Sequence, residues 1–206
     1  LGVEIKEITR EIVTSARKYE ENSFWQTIKT LFKTATQAKT FKQDSIKNIY
    51  CFFTKDPKSK NSKTRLREVL KDNQLVDQFS LHCLAIVKEN ILDLDQGENK
   101  IVIINNSPTR DYLYELGLDK YSILDIQSDN IGLSMQEAYD ICSPFGKNIV
   151  LTGSDIPELK SSHLVKAVDE LKQSDSYIIG TKDGGYCCFS TKLNNLENAF
   201  TRVDYK

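Results

Sequence analysis

The 206-residue sequence lacks the features of several large protein classes. It has no apolar run long enough to cross a bilayer and no basic-then-apolar start, so we expect neither a membrane span nor a signal peptide. Its five cysteines include no C-x-x-C pair, which argues against a disulfide framework and favours reduced thiols in a cytoplasmic protein. Two histidines are too few for a histidine-based metal site.

Strong charge of either sign is also missing. Lys and Arg together number 28 and Asp and Glu 29, which gives a net charge of −1. Because no global field would attract a polyanion, the composition does not predict nucleic-acid binding. The phosphate-binding pattern G-x-x-x-x-G-K-[ST] is absent as well, so a P-loop is excluded.

Residues 1–47 carry apolar side chains at helical spacing in two stretches, separated by Asn22 and Ser23. This pattern predicts an N-terminal helical hairpin ahead of a main domain over residues 48–206. An amphipathic stripe indicates only that something covers it. The hairpin therefore either caps the core of the main domain, which we prefer, or forms a homodimer or partner surface.

From residue 48 onward, short apolar runs alternate with amphipathic helical patterns. The runs at 49–53, 101–104 and 148–151 are typical of strands buried on both faces. Their alternation with helices predicts an α/β fold, with a mainly parallel sheet and helices on both faces. Sheets of this kind bind ligands at the carboxyl ends of their strands.

Two of the predicted strands end in small acidic loops. One runs into the segment Gly153–Asp155 and another into the segment Asp183–Gly185. Two carboxylates at one sheet edge favour a divalent cation, and a cation there favours a phosphate ligand. Structural roles are the alternative: Asp155 could be a turn or capping residue, and Asp183 could belong to a plain hairpin turn.

A basic loop follows the first predicted strand. It contains four lysines between residues 55 and 63, and a helix begins near Thr64. A strand, a basic loop and a helix start can together bind phosphate, since the helix start offers free N–H groups. A solvated lysine loop is the alternative, and charge alone favours it.

Four motifs occur in a fixed order along the chain. They are Lys55-Asp56-Pro57 with Lys63-Thr64-Arg65-Leu66, Gln127 through Gly132 with Met135, Gly153-Ser154-Asp155-Ile156-Pro157, and Asp183-Gly184-Gly185-Tyr186. Through them the chain resembles the glycosyltransferase-A-like transferases associated with radical-SAM and selenium- or arsenic-sugar genes. Guanylyltransferases that act on phospholactate and on the molybdenum cofactor share this fold.

The resemblance implies a nucleotide-binding, metal-dependent transferase. It favours glycosyl transfer from a nucleoside-diphosphate sugar to a small acceptor, with nucleotidyl transfer as the alternative. Asp155 and Asp183 would be the catalytic residues and would bind Mg²⁺ or Mn²⁺, although Asp183 could instead orient the acceptor. The residues implied in nucleotide binding are Phe53, Lys55, Lys63, Arg65, Gly153, Ser154, Gly184 and Gly185.

The sequence departs from the family pattern at three positions. Lys60 replaces the glycine of the entry loop, Asp129 replaces a second glycine, and Ser134 replaces an arginine. The family pattern also continues beyond the point where this sequence ends. These departures support a second hypothesis, in which the domain retains the fold as a binding or assembly module without catalysis, with residues 1–47 as its contact surface.

Overall fold

The computed structural model describes residues 46–194 and 196–201. The predicted helical hairpin and its homodimer surface fall outside these residues, apart from Ile46 and Lys47, and stay predictions. The described elements alternate along the chain as the sequence predicts. They are β1 (Asn48–Thr54), α1 (Thr64–Leu70), α2 (Asn73–Leu94), β2 (Asn99–Asn105), α3 (Asp111–Glu115), β3 (Ser122–Asp125), α4 (Ile131–Cys142), β4 (Asn148–Gly153), α5 (Ser161–Glu170), β5 (Ser176–Gly180) and β6 (Tyr186–Thr191).

The strands form one six-stranded sheet in the order β3-β2-β1-β4-β6-β5. β1 pairs in parallel with β2 and with β4, and β2 pairs in parallel with β3. β6 runs antiparallel to both β4 and β5. The predicted α/β fold with a mainly parallel sheet is therefore confirmed. The antiparallel strand arises because only a short turn joins β5 to β6, whereas a parallel return needs a crossover of roughly a dozen residues or more.

Alternate residues of the central strands pack against helices on opposite faces of the sheet. On one face, Tyr50 and Phe52 join a buried cluster with Leu84 of α2 and Leu164 of α5. On the other face, Cys51 Sγ lies 3.7 Å from Cys142 Sγ of α4. Helices thus cover both faces, as a sheet with apolar side chains on both faces requires. Within the described residues, no helix combines the length and apolar content that a membrane crossing needs.

The strand directions bring several loops to one edge of the sheet. β1 and β4 are neighbours, and Phe53 and Gly153 are register partners near their carboxyl ends. The turn between β5 and β6 lies at the same edge, because β5 runs in the same direction as β4. The basic loop, the Gly153–Asp155 segment and the Asp183–Gly185 segment therefore all leave the sheet at its carboxyl edge, where α/β sheets bind ligands.

Candidate functional site

Lys63 and Asp155 are in direct contact at the carboxyl edge. Lys63 Nζ donates a hydrogen bond to Asp155 Oδ2 at 2.9 Å. The Lys63 side chain is 19% exposed and that of Asp155 is 59% exposed. The lysine is thus largely covered, while the carboxylate faces solvent. The fold brings together the entry loop after β1 and the loop after β4, which the sequence places far apart.

The ion pair lies against helix α2. Lys63 Nζ is 5.7 Å from the centroid of the Phe79 ring, a distance at which a cation and an aromatic ring attract each other. Burial raises the pKa of the Cys83 thiol, one helical turn further on. The charge of Lys63 opposes this rise in the pKa, whereas Asp155 and Glu158 add to it. The charged side chains near the carboxyl edge therefore influence the pKa of a thiol in the interior of the domain.

Arg67 holds the basic loop in place. Its Nε donates to the carbonyl of Ser62 at 2.8 Å, and its Nη2 donates to the carbonyls of Pro57 and Ser59 at 3.1 and 3.2 Å. The same Nη2 forms an ion pair with Asp77 of α2. Since the arginine side chain is only 11% exposed, it anchors the loop that carries Lys63 from the inside.

Two other predicted phosphate-binding residues take no part in the ion pair between Lys63 and Asp155. Arg65 is exposed and Lys55 is half-buried. Within the described part of the chain, neither side chain makes a hydrogen bond or an ion pair. Lys63 itself begins α1 with a left-handed backbone, φ 54°. The loop therefore presents two uncommitted cationic side chains next to one that is already paired.

Asp183 lies in the turn between β5 and β6, so the hairpin-turn alternative describes its backbone correctly. Its Oδ1 accepts hydrogen bonds from Thr181 Oγ and from the Gly185 N–H. These bonds, that of Thr181 first, lower the pKa of Asp183. Gly184 has φ 89°, which only glycine adopts readily. The carboxylate is exposed and ionised, and Oδ2 accepts no hydrogen bond within the described residues.

Asp155 and Asp183 both lie on loops at the carboxyl edge of the sheet, where the sequence predicts a divalent cation. Among the described residues, no group of three or more His, Cys, Asp or Glu side chains could hold a metal ion. Asp155 and Asp183 can thus supply two protein ligands at most. Mg²⁺ is commonly held in this way, with phosphate oxygens and water completing its shell. Asp155 already has one cationic partner, the Lys63 ammonium.

A buried polar network organises the edge at the ends of β1, β2 and β3. Tyr112 Oη donates to Asn105 Oδ1 at 2.7 Å and lies 2.9 Å from Thr54 Oγ1. Asn105 Nδ2 in turn donates to Asp125 Oδ1 at 2.8 Å, and Arg110 pairs with both carboxylate oxygens of Asp125. The sequence reasoning missed this network. Asn105 and Asp125 both end apolar strands, which is the same sequence signal that precedes the Asp155 and Asp183 loops.

The buried tyrosine of this network predicts a loss of stability at alkaline pH. Burial raises the pKa of Tyr112 to about 12, whereas an unfolded chain has a tyrosine pKa of about 10. The neutral phenol therefore stabilises the fold fully below about pH 10, and this contribution is lost as the pH rises towards 12. Between pH 9 and 11 we expect Tyr112→Phe to lose about 1 kcal/mol less free energy of unfolding than the unsubstituted chain.

Urea unfolding at pH 9 and pH 11 measures this difference. Tyr114→Phe is a matched control, because Tyr114 lies two residues further along and is 58% exposed. That control should show the pH dependence of the unsubstituted chain. An equal loss of stability in Tyr112→Phe and in the unsubstituted chain would contradict the role given to the buried phenol.

Asn90 of α2 fixes the loop between β4 and α5, which carries Asp155. Asn90 Nδ2 donates to the Leu159 carbonyl at 2.7 Å, and Asn90 Oδ1 accepts from the Ser161 N–H at 2.8 Å. Ser161 Oγ also donates to Asp93 Oδ2 at 2.8 Å. Asn90 is buried, yet one asparagine in an amphipathic helix gives no sequence signal of this role.

The segment that begins at Gln127 forms the start of α4. Asn130 Oδ1 accepts hydrogen bonds from the N–H groups of Gly132 and Leu133 and so caps the helix. Ser134 is fully buried, and its hydroxyl has no hydrogen-bond partner within the described residues. The position at which the family pattern has an arginine thus lies on the packed face of α4, where this chain has a small neutral side chain.

The fold is shared with solved structures of nucleotide-dependent transferases. A candidate nucleotide-diphospho-sugar transferase from Desulfovibrio desulfuricans G20 is 23% identical, with a TM-score of 0.64, over 77% of this chain and 69% of that chain. A cytidylyltransferase from Leptospira borgpetersenii serovar Hardjo-bovis (strain JB197) is 14% identical, with a TM-score of 0.52, over 78% of this chain and 66% of that chain. At these identities the likeness shows the fold alone.

A sequence relative points in the same direction. The 2-phospho-L-lactate guanylyltransferase of Methanobrevibacter smithii is 27% identical over 151 residues, which cover 72% of this chain and 64% of that protein. The chain thus spans less than two thirds of this relative's length. The resemblance to transferases of this fold and to their guanylyltransferase relatives is confirmed. Residues 90–206 match a family over more than half of the chain, and the chain therefore belongs to the family described as "uncharacterized protein conserved in bacteria", DUF2064.

Proposed function

We propose that the chain is a metal-dependent nucleotidyltransferase that acts on a small phosphorylated acceptor. One observation carries the proposal: Lys63 and Asp155 meet at the carboxyl edge, on loops that follow the adjacent strands β1 and β4. Transfer from a nucleotide requires stabilisation of the leaving phosphate charge. A lysine beside a cation-binding carboxylate serves this need without a nucleophilic side chain.

In this proposal the basic and the acidic side chains have different roles. Lys63, Lys55 and Arg65 would bind the phosphates, while Asp155 and Asp183 would hold Mg²⁺ or Mn²⁺. A bound divalent ion would neutralise phosphate charge in the transition state. The remaining predicted nucleotide-binding residues lie at the same edge, and these are Phe53, Gly153, Ser154, Gly184 and Gly185.

The guanylyltransferase relative supports nucleotidyl transfer in particular. In that reaction an acceptor phosphate oxygen attacks the α-phosphorus of a nucleoside triphosphate, and pyrophosphate leaves. Glycosyl transfer, which the motif resemblance favoured, is the second candidate. There an acceptor hydroxyl attacks the anomeric carbon, and the nucleoside diphosphate leaves. Both reactions release a charged phosphate, so the same lysine and carboxylates would serve either one.

Product analysis tests and separates these candidates. Phosphorus NMR should show pyrophosphate when the chain is incubated with GTP, Mg²⁺ and 2-phospho-L-lactate or a similar phosphorylated acid. Release of a nucleoside diphosphate from UDP- or GDP-sugars would instead favour glycosyl transfer. If neither product forms from any donor, and no nucleotide binds, the non-catalytic binding module becomes the better account.

Gly153 gives a further test, because its missing side chain leaves room for the Asp155 carboxylate. A Cβ built on Gly153 would lie 3.1 Å from Asp155 Oδ1, so Gly153→Ala must displace that carboxylate by a few tenths of an ångström. We expect metal-dependent nucleotide binding to weaken about tenfold. Isothermal titration with GTP and Mg²⁺ measures the change.

Gly180→Ala is the matched control for this substitution. A Cβ on Gly180 would meet only the Gly185 carbonyl oxygen, at 3.8 Å, which is an ordinary contact. Gly180→Ala should therefore bind nucleotide as the unsubstituted chain does. If both alanine variants bind equally well, the position of Asp155 is not what limits nucleotide binding.

A further inference from the structure

In the free chain, the candidate metal ligand Asp155 is already paired with a positively charged side chain, that of Lys63. The ammonium lies 2.9 Å from Asp155 Oδ2. In the proposed function, Lys63 binds a nucleotide phosphate and Asp155 binds a divalent ion. The role of Lys63 that we infer from the ion pair rests on that function. The arrangement in the free chain and the arrangement with nucleotide therefore differ in the partner of Lys63.

The two arrangements exclude each other for an electrostatic reason. A divalent ion bound to Asp155 would stand within a few ångströms of an ammonium that contacts the same carboxylate. Two cations at that separation repel strongly in a partly buried site. Lys63 must therefore leave Asp155 when a metal ion binds there, and a phosphate is the nearest anion of the proposed ligand that could receive it.

We propose that the Lys63 side chain has two positions. In the free chain it pairs with Asp155, where the divalent ion would bind, and it moves to the nucleotide phosphate when that ion binds. The pair neutralises Asp155 until both ligands arrive. Metal alone then binds weakly, since it has to displace the lysine. Metal with nucleotide binds well, since the phosphate gives the displaced lysine a new partner.

The surroundings of Lys63 suit such a movement. Its ammonium is carried on a flexible four-carbon stem, and the half-exposed Asp155 leaves the pair accessible to an incoming ion. The Phe79 ring offers a surface that attracts the ammonium and that is itself 39% exposed. The ring can therefore stay in contact with the lysine on the side where the site opens to solvent.

The proposal predicts changes of opposite sign in one variant. Lys63→Met keeps most of the length of the side chain and removes its charge. We expect Mn²⁺ alone to bind about tenfold more tightly, because nothing competes for Asp155. We expect GTP in the presence of Mn²⁺ to bind about tenfold more weakly, because a phosphate contact is lost. Electron paramagnetic resonance of free Mn²⁺ and isothermal titration of GTP measure the two affinities on the full chain.

Two further variants exclude simpler explanations. Lys60→Met removes the same charge from an exposed position in the same loop, so it corrects for a general effect of charge, and we expect both affinities to stay unchanged. Lys63→Arg keeps a cation and should leave Mn²⁺ binding weak. Circular dichroism confirms that each variant is folded.

The outcomes separate this proposal from the proposed function. If the unsubstituted chain binds GTP with Mn²⁺ but Lys63→Met binds Mn²⁺ no more tightly than Lys60→Met does, Lys63 does not compete for Asp155 and the two-position proposal fails by itself. If Lys63→Met leaves GTP binding unchanged, the ion pair is only structural and the proposal fails. If the unsubstituted chain binds no nucleotide under any condition, the proposed function fails and this proposal fails with it.

Discussion

Asp155→Asn is expected to abolish metal-dependent nucleotide binding and to lower the rate of transfer about 100- to 1000-fold, the range seen when one electrostatic contact to a developing charge is removed. The asparagine keeps the shape of the side chain but has no charge for a divalent ion. It also reduces the ion pair with Lys63, now 2.9 Å long, to at most a hydrogen bond with a neutral amide oxygen. The loss should therefore appear in the Mg²⁺ dependence of binding as well as in the rate.

Titration of GTP with Mg²⁺ and with EDTA measures this effect. Glu158→Gln is the matched control, because it removes a carboxylate from an exposed position in the same loop. Nucleotide binding by Glu158→Gln should match that of the unsubstituted chain. If Asp155→Asn binds GTP with the same Mg²⁺ dependence as the unsubstituted chain, Asp155 is not the metal ligand, and its role is that of a turn residue.

Arg67→Met should be the most destabilising change in the candidate site. It removes the hydrogen bonds to the carbonyls of Ser62, Pro57 and Ser59 and leaves Asp77 without its partner. Loss of one member of a buried ion pair costs about 3–5 kcal/mol. Because Asp77 is 30% exposed, we expect a decrease of about 2–3 kcal/mol in the free energy of unfolding.

Urea unfolding at pH 7 measures the decrease. Arg65→Met, two residues earlier on the exposed side of α1, should change stability by less than about 0.5 kcal/mol. Under conditions where Arg67→Met is still folded, it should also bind nucleotide more weakly, since the loop that carries Lys63 loses its anchor. A stability equal to that of Arg65→Met would show that the loop holds its shape without Arg67.

The architecture follows from the hydrophobic patterns of the sequence. Continuous apolar runs such as those at 49–53 and 148–151 are typical of strands that are covered on both faces. Their alternation with helices predicts a mainly parallel sheet. The rule that ligands bind at the carboxyl edge then identified the segments around Asp155 and Asp183. The carboxyl ends of β2 and β3 carry the same signal at Asn105 and Asp125.

Other contacts have no local signal, because they depend on how distant loops meet. Arg67 and Asn90 are single polar residues on amphipathic helices, and their partners lie in loops whose course is set by the whole fold. The contact between Lys63 and Asp155 has the same origin. The motifs identified both residues, but only the adjacency of β1 and β4 brings a phosphate-binding candidate onto a metal-binding candidate.

The most direct test of the central claim is the melting temperature of the full chain with GTP, CTP, UTP and UDP- or GDP-sugars, each with Mg²⁺, Mn²⁺ or EDTA. A ligand at 100 times its dissociation constant adds about 2.7 kcal/mol to the stability of the folded state. We therefore expect one nucleotide to raise the melting temperature by several degrees with metal, and not with EDTA. A melting temperature that no combination changes, or that a nucleotide raises equally in EDTA, would contradict metal-dependent nucleotide binding at Asp155.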